Sequence, residues 1–346
     1  MNKIAILRRL SIVLGTLTCF IAVNVSWSAL AQNFDTDTQL CSAITSNGIV
    51  NISTKSGDRD AYGDYHCLFT PEAMRINLYE IRLCETYPVA TDYTEKCNVL
   101  VSNAAGKMVS ISNDLSTKIT DQEISIAEGT YKFATVLVAP TIESRFSITF
   151  DSSMQGANAG TGTTCWSNGK EGLPTYLDGH DEMTVNCGLS TEAAPVFSPV
   201  YFYAFWDDRT NNFTNSVSGL AETSLLYVDA YLMNDATTPM PMSGLEWLGG
   251  DQNTGVVVGN SATRLLGVSQ ITPITISPDT KNVDIGFSIE NTYYAKTSTN
   301  QKYRANGTFD GSESPGGGGA ICSMGSTEAC FLNAAPERFI FRATSN

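Results

Sequence analysis

Between residues 74 and 84 hydrophobic and polar positions alternate, and then the alternation slips. Ile76 and Leu78 alternate with Arg75 and Asn77; beyond the slip Tyr79, Ile81 and Leu83 alternate with Glu80, Arg82 and Cys84. A period of two marks a strand, and one change of parity predicts either a bulge or a change of buried face near Leu78 and Tyr79. The same kind of pattern runs through the rest of the chain. Residues 43–53 read as two short strands around Asn47-Gly48, a pair that favours a tight hairpin turn. Residues 99–101, 108–111, 124–126 and 131–139 are rich in β-branched and aromatic types, with turn signals at intervals of about ten residues. Residues 133–139 are apolar on both faces and predict a central strand, whereas residues 146–150 alternate and predict a half-buried one. Residues 200–206 put Tyr201, Tyr203 and Phe205 on one face and Phe202 and Trp206 on the other, and residues 338–342 close the chain with a short alternating strand.

This cadence predicts an all-β protein of two β-sandwich-like modules with disulfide-clasped loops, after a cleaved signal peptide. Residues 1–31 supply the leader: Lys3, Arg8 and Arg9 precede an apolar run, and Ser28-Ala29-Leu30-Ala31 has the small-x-small form that signal peptidase reads, so cleavage is expected before Gln32. Asn24 and Ser26 interrupt that apolar run, which argues against an uncleaved spanning helix of about 20 residues. Residues 32–70 then form an acidic arm and a clasped hairpin, and residues 71–151 a first module. A connector and disulfide loop occupies residues 152–195, opening with a Gly/Ser/Thr-rich stretch, and residues 196–346 form a second module.

Cleavage removes Cys19 and leaves eight of the nine cysteines: Cys41, Cys67, Cys84, Cys97, Cys165, Cys187, Cys322 and Cys330. An even number in an exported chain signals a closed disulfide set. Their grouping between strand-like runs favours four neighbour pairs, although eight cysteines allow about 105 connectivities. CxxC and Cys/His zinc spacings are absent.

Charge narrows the range of partners. The chain holds 21 basic and 35 acidic residues; losing the three basic residues of the leader leaves 18 against 35, a balance of −17. Such a surface repels phosphates, which excludes nucleic acid as a partner. No stretch after the leader approaches membrane-spanning length.

Candidate chemistry is sparse. Asp58, Asp60 and Asp64 cluster in a Gly-containing loop that could hold Ca²⁺ through carboxylate and backbone oxygens, or form a solvated acidic turn; the spacing departs from an EF-hand. No other cofactor is indicated. Of two histidines, His66 adjoins Cys67 and His180 lies beside Asp178, Asp181 and Glu182, a set that need not converge on a metal. GxSxG, HExxH and GxxxxGK motifs are absent. Trp166, Trp206 and Trp247 could stack on sugar rings if exposed, but the aromatic run at residues 200–206 also reads as core.

The leader and Cys-bounded strands resemble exported bacterial all-β surface proteins as a class, without a motif specific to one family. The expectation is a non-catalytic secreted or cell-surface protein, placed in the extracellular space, at the cell surface or in the periplasm. It would serve structure or adhesion with other surface proteins or with its own copies, assembling through strand addition. The alternative is a carbohydrate-binding protein or a secreted glycan-active enzyme.

Overall fold

The computed structural model describes residues 40–51, 65–112, 126–156, 160–175, 180–183, 185–202, 205–207, 212–214, 216–219, 228–240, 246–248, 256–258, 262–280, 283–298, 330–336 and 340–345. All lie within one compact unit. Among the described residues the structure is mostly β, with one α-helical turn, α1 (Tyr93–Lys96), and 3₁₀ turns at Cys41–Ile44 and Ser190–Glu192. In chain order the strands are β1 (Thr45–Ser46), β2 (Ile49–Val50), β3 (Tyr65–Phe69), β4 (Ala73–Cys84), β5 (Cys97–Ser112), β6 (Gly129–Arg145), β7 (Ser147–Gly156) and β8 (Thr161–Ser167). Then come β9 (Leu173–Thr175), β10 (His180–Glu182), β11 (Val185–Gly188), β12 (Ser198–Tyr201), β13 (Phe205–Asp207), β14 (Asn212–Thr214), β15 (Ser216–Gly219) and β16 (Val228–Met233). The last are β17 (Glu246–Leu248), β18 (Val256–Val258), β19 (Arg264–Ile276), β20 (Val283–Ser288), β21 (Tyr293–Ser298), β22 (Cys330–Pro336) and β23 (Ile340–Ser345).

Two large sheets hold most of these strands. A seven-stranded sheet runs β15-β16-β19-β6-β4-β5, with β12 on the part of β6 beyond β19. An eight-stranded sheet runs β1-β2-β7-β22-β21-β3, extended by β8 on β7 and β11 on β8. Strands distant in sequence lie side by side: β6 pairs with β19, β7 runs parallel to β22, and β3 pairs with β21. Both large sheets therefore mix strands from either side of residues 152–195, the boundary drawn between two modules.

The parity slip in β4 is a bulge. Leu78 faces Val138 of β6 and Glu80 faces Leu137, so Tyr79 is the extra residue. Ile76, Leu78, Ile81 and Leu83 all stay in one buried cluster, so the bulge preserves the buried face across the change of parity. Against β5 the register shifts by more: Leu78 faces Lys107 and Glu80 faces Ser102, leaving residues 103–106 looped out. Gly106 turns that loop with φ of 78°, a left-handed conformation that glycine adopts without steric cost.

The apolar run in β6 is central, between β4 on one side and β19 with β12 on the other. Ala134, Val136 and Val138 join the main cluster, which contains buried side chains of both large sheets; Leu137 joins a smaller cluster on the opposite face. β7 is half-buried as its alternation predicts, with Ile148 and Phe150 inside and Ser147 exposed. Phe69, Phe146 and Tyr293 meet in the main cluster at ring distances of 5.0 to 6.4 Å. The β1–β2 hairpin turns through Asn47 and Gly48, both at positive φ, the geometry expected of that pair.

Candidate functional site: a long sheet edge

Three of the four expected disulfides join neighbouring cysteines: Cys41–Cys67, Cys84–Cys97 and Cys165–Cys187. Cys84 and Cys97 are direct partners across β4 and β5, and Cys165 and Cys187 across β8 and β11, so each bond locks a strand pair in register. Cys322 lies outside the described residues, and Cys330 begins β22.

The other described candidate residues, Trp166, Trp206, Trp247 and His180, lie in four different sheets. Asp58, Asp60 and Asp64 lie outside the described residues. Among the described residues no group of three His, Cys, Asp or Glu could hold a metal. Trp166 is only 7% exposed, its ring seated against Gly188, where a Cβ would lie 3.1 Å from the indole. A ring so enclosed offers no face for a sugar to stack on. The backbones of Trp206 and Trp247 lie opposite Phe213 and Val257 in separate two-stranded sheets. His180 lies opposite Thr175 in a third.

The feature that stands out is an edge. Sheet edges expose backbone donors and acceptors, and proteins blunt them with short strands, charge, proline or bulges. Among the described residues the other terminal strands of the two large sheets are short: β1 has 2 residues, β11, β12 and β15 have 4 each, and β3 has 5 and is bridged by Leu40 at Leu68. By contrast β5 has 16 residues, no proline and one charged side chain, Lys107. Among the described residues it pairs with β4 alone. Its first half is irregular, because Leu100 is an extra residue between Val99 and Val101 and residues 103–106 loop out. Its second half is regular, with six unshifted pairs from Leu78–Lys107 to Ala73–Ser112. There Val109 and Ile111 are buried, while Met108 is 57% exposed, next to water on an otherwise strand-forming surface.

The start of this edge is held firmly. Beyond the Cys84–Cys97 bond, Arg82 donates from Nε and Nη2 to both carboxylate oxygens of Glu80, at 2.6 and 2.9 Å. Its Nη1 donates to the carbonyls of Thr94 and Cys97, at 3.1 and 3.4 Å. The loop closed by the disulfide folds back onto the sheet and places Ala90 and Tyr93 over Leu137, Leu266 and Val268. The Tyr93 hydroxyl donates to the carbonyl of Ala236. Burial raises that hydroxyl to about 12; the nearby Glu80 charge adds to the shift and Arg82 opposes it. Asp92 is held below the usual carboxylate range by its bonds to Lys96 and to the Val89 amide.

Sequence reading recognised residues 99–101 and 108–111 as strands but not as an edge. Their near-absence of charge was the available signal. No family model matches the chain, and no curated protein or solved structure matches it significantly. Among the described residues no helix is long and apolar enough to cross a membrane.

Proposed function

We propose that this is a secreted or cell-surface protein with a structural or adhesive role, built as a β-sandwich-like body whose β5 edge pairs with a strand of another molecule. The observation that carries this reading is the length and near-neutrality of β5, which among the described residues pairs with β4 alone and stands beside short terminal strands. The three buried disulfides support an oxidising compartment, as expected outside the cytosol. The formal charge of −14 favours solubility over anionic partners, so a neutral strand is the place where close approach costs least.

The test is genetic. Cells deprived of the protein should lose normal surface structures or attachment, and a Met108→Lys copy should fail to restore them while reaching wild-type abundance. Unchanged surface and attachment in the deprived cells would end both the structural and the adhesive reading.

A further inference from the structure

What lies beside each arginine sets one of them apart. Among the described residues Arg75, Arg82 and Arg145 each have a carboxylate next to them, from Glu143, Glu80 and Glu72. Arg264, the first residue of β19, has no carboxylate partner among them. Its Nη1 donates to the carbonyl of Thr263 at 2.7 Å, and its guanidinium carbon lies 3.5 Å from the centre of the Tyr79 ring. We propose that Arg264 and Tyr79 form a binding site for a single carboxylate carried by a small, otherwise uncharged molecule. The site goes beyond the strand-addition reading and does not depend on it.

At 3.5 Å the two planes must stack, because an edge-on guanidinium would drive a nitrogen into the ring. Stacking directs the five N–H bonds of the guanidinium along the sheet surface, in a fixed fork. Thr263 engages Nη1, which leaves the edge formed by Nε and Nη2. Those are the two donors with which Arg82 holds both oxygens of Glu80, so the chain already shows what that edge accepts.

Tyr79 supplies a fixed platform and a second donor. It is the extra residue of the bulge in β4, a device that re-aims a side chain out of the regular rows, and its ring packs against the smaller cluster. Its hydroxyl oxygen accepts from Asn77 Nδ2 at 3.1 Å, which leaves the phenolic proton to donate to a ligand. Leu265 points into the main cluster, so Arg264 points to the opposite face and reaches across β6 to meet Tyr79 there. Both side chains are half-buried, which keeps them partly open to solvent and lowers the screening that a fully exposed cation would meet.

The formal charge of −14 disfavours a polyanion, whose repeated charges would face the whole acidic surface. A single carboxylate meets one uncompensated guanidinium, while repulsion from charges farther off is screened beyond about 8 Å at physiological strength. A sugar acid and a simple carboxylic acid share this chemistry.

The experiment is NMR of the full chain with acetate, galacturonate, galactose or chloride added at matched ionic strength, read from the Arg264 Nε–H resonance and from the ligand's own signals. Expected are saturable shifts with acetate and galacturonate and none with galactose or chloride. Tighter binding of galacturonate assigns a sugar acid, and equal binding assigns the carboxylate alone. Arg264→Gln should weaken binding about tenfold or more, as should Arg264→Lys, which keeps the charge and loses the fork. Tyr79→Phe should weaken it about threefold. Arg75→Gln, whose guanidinium already faces Glu143, should leave it unchanged. The site is overturned if no saturable shift appears, if galactose or chloride gives the same response, or if either Arg264 variant binds as the wild type does.

Discussion

Leu137 and Val138 are neighbours on β6, yet they belong to different cores. Val138 lies in a row with Leu78, Leu265 and Leu232, drawn from strands far apart in sequence and all part of the main cluster. Leu137 lies in the adjacent row with Leu266 and Tyr231, and its cover is local: Ala90 and Tyr93 of a loop closed by a disulfide between residues 13 apart. One face of the sheet is thus buried by the global fold and the other by a short covalent clasp. The two should respond differently to mutation, since one depends on many distant contacts and the other on one loop staying in place.

The largest expected effect is on the main core. Phe146→Ala removes a ring that is 1% exposed and packed between Phe69 and Tyr293, which should cost about 3–5 kcal/mol in urea unfolding. Next comes the clasp. Replacing both Cys84 and Cys97 by Ala should cost about 3 kcal/mol for a loop of this length. The comparison sharpens when these changes are combined. Phe146→Ala should add to the clasp removal within about 0.5 kcal/mol, because the two lie in separate clusters. Leu266→Ala should cost less without the clasp than with it, because its cover has already loosened. Full additivity for Leu266 would mean that the loop does not depend on the disulfide for its place.

The smallest effect is the most local. Tyr93→Phe deletes the hydrogen bond to Ala236 and should cost about 1 kcal/mol. It should also alter the alkaline limb of stability. The hydroxyl is raised from its ordinary value of 10 to about 12 in the folded chain, so the unfolded chain releases its proton first. Its contribution is full below pH 10 and declines from there to about pH 12. Denaturation measured across that window should fall less steeply in Tyr93→Phe than in the wild type; identical slopes would remove the phenol from the account.

Much of the local structure was legible in the residues. The slip at Leu78 and Tyr79 announced a bulge, although only the pairing with β6 decided between a bulge and a change of face. The apolar run at residues 133–139 announced a strand covered on both sides, and the cysteine spacing announced three of the bonds seen. The candidate site was much less legible. Trp166 has the chemistry of a sugar platform and sits inside, because exposure depends on what packs against β8, including the space left by Gly188. Met108 looked like an ordinary strand residue, and its significance comes from the place of β5 at the end of a sheet.

The amino-acid sequence by itself determined the β class, the central character of β6, the hairpin at Asn47-Gly48 and the three neighbour disulfides. These follow from properties carried within a few residues: side-chain period, turn geometry and the proximity of neighbouring cysteines. Tertiary structure alone decided that β6 lies beside β19, that β7 runs with β22, and that β5 pairs with β4. Alternation states which face of a strand is buried and is silent about which strand lies next to it. A strand's neighbours are chosen by the whole sheet, and only the assembled sheet contains that information.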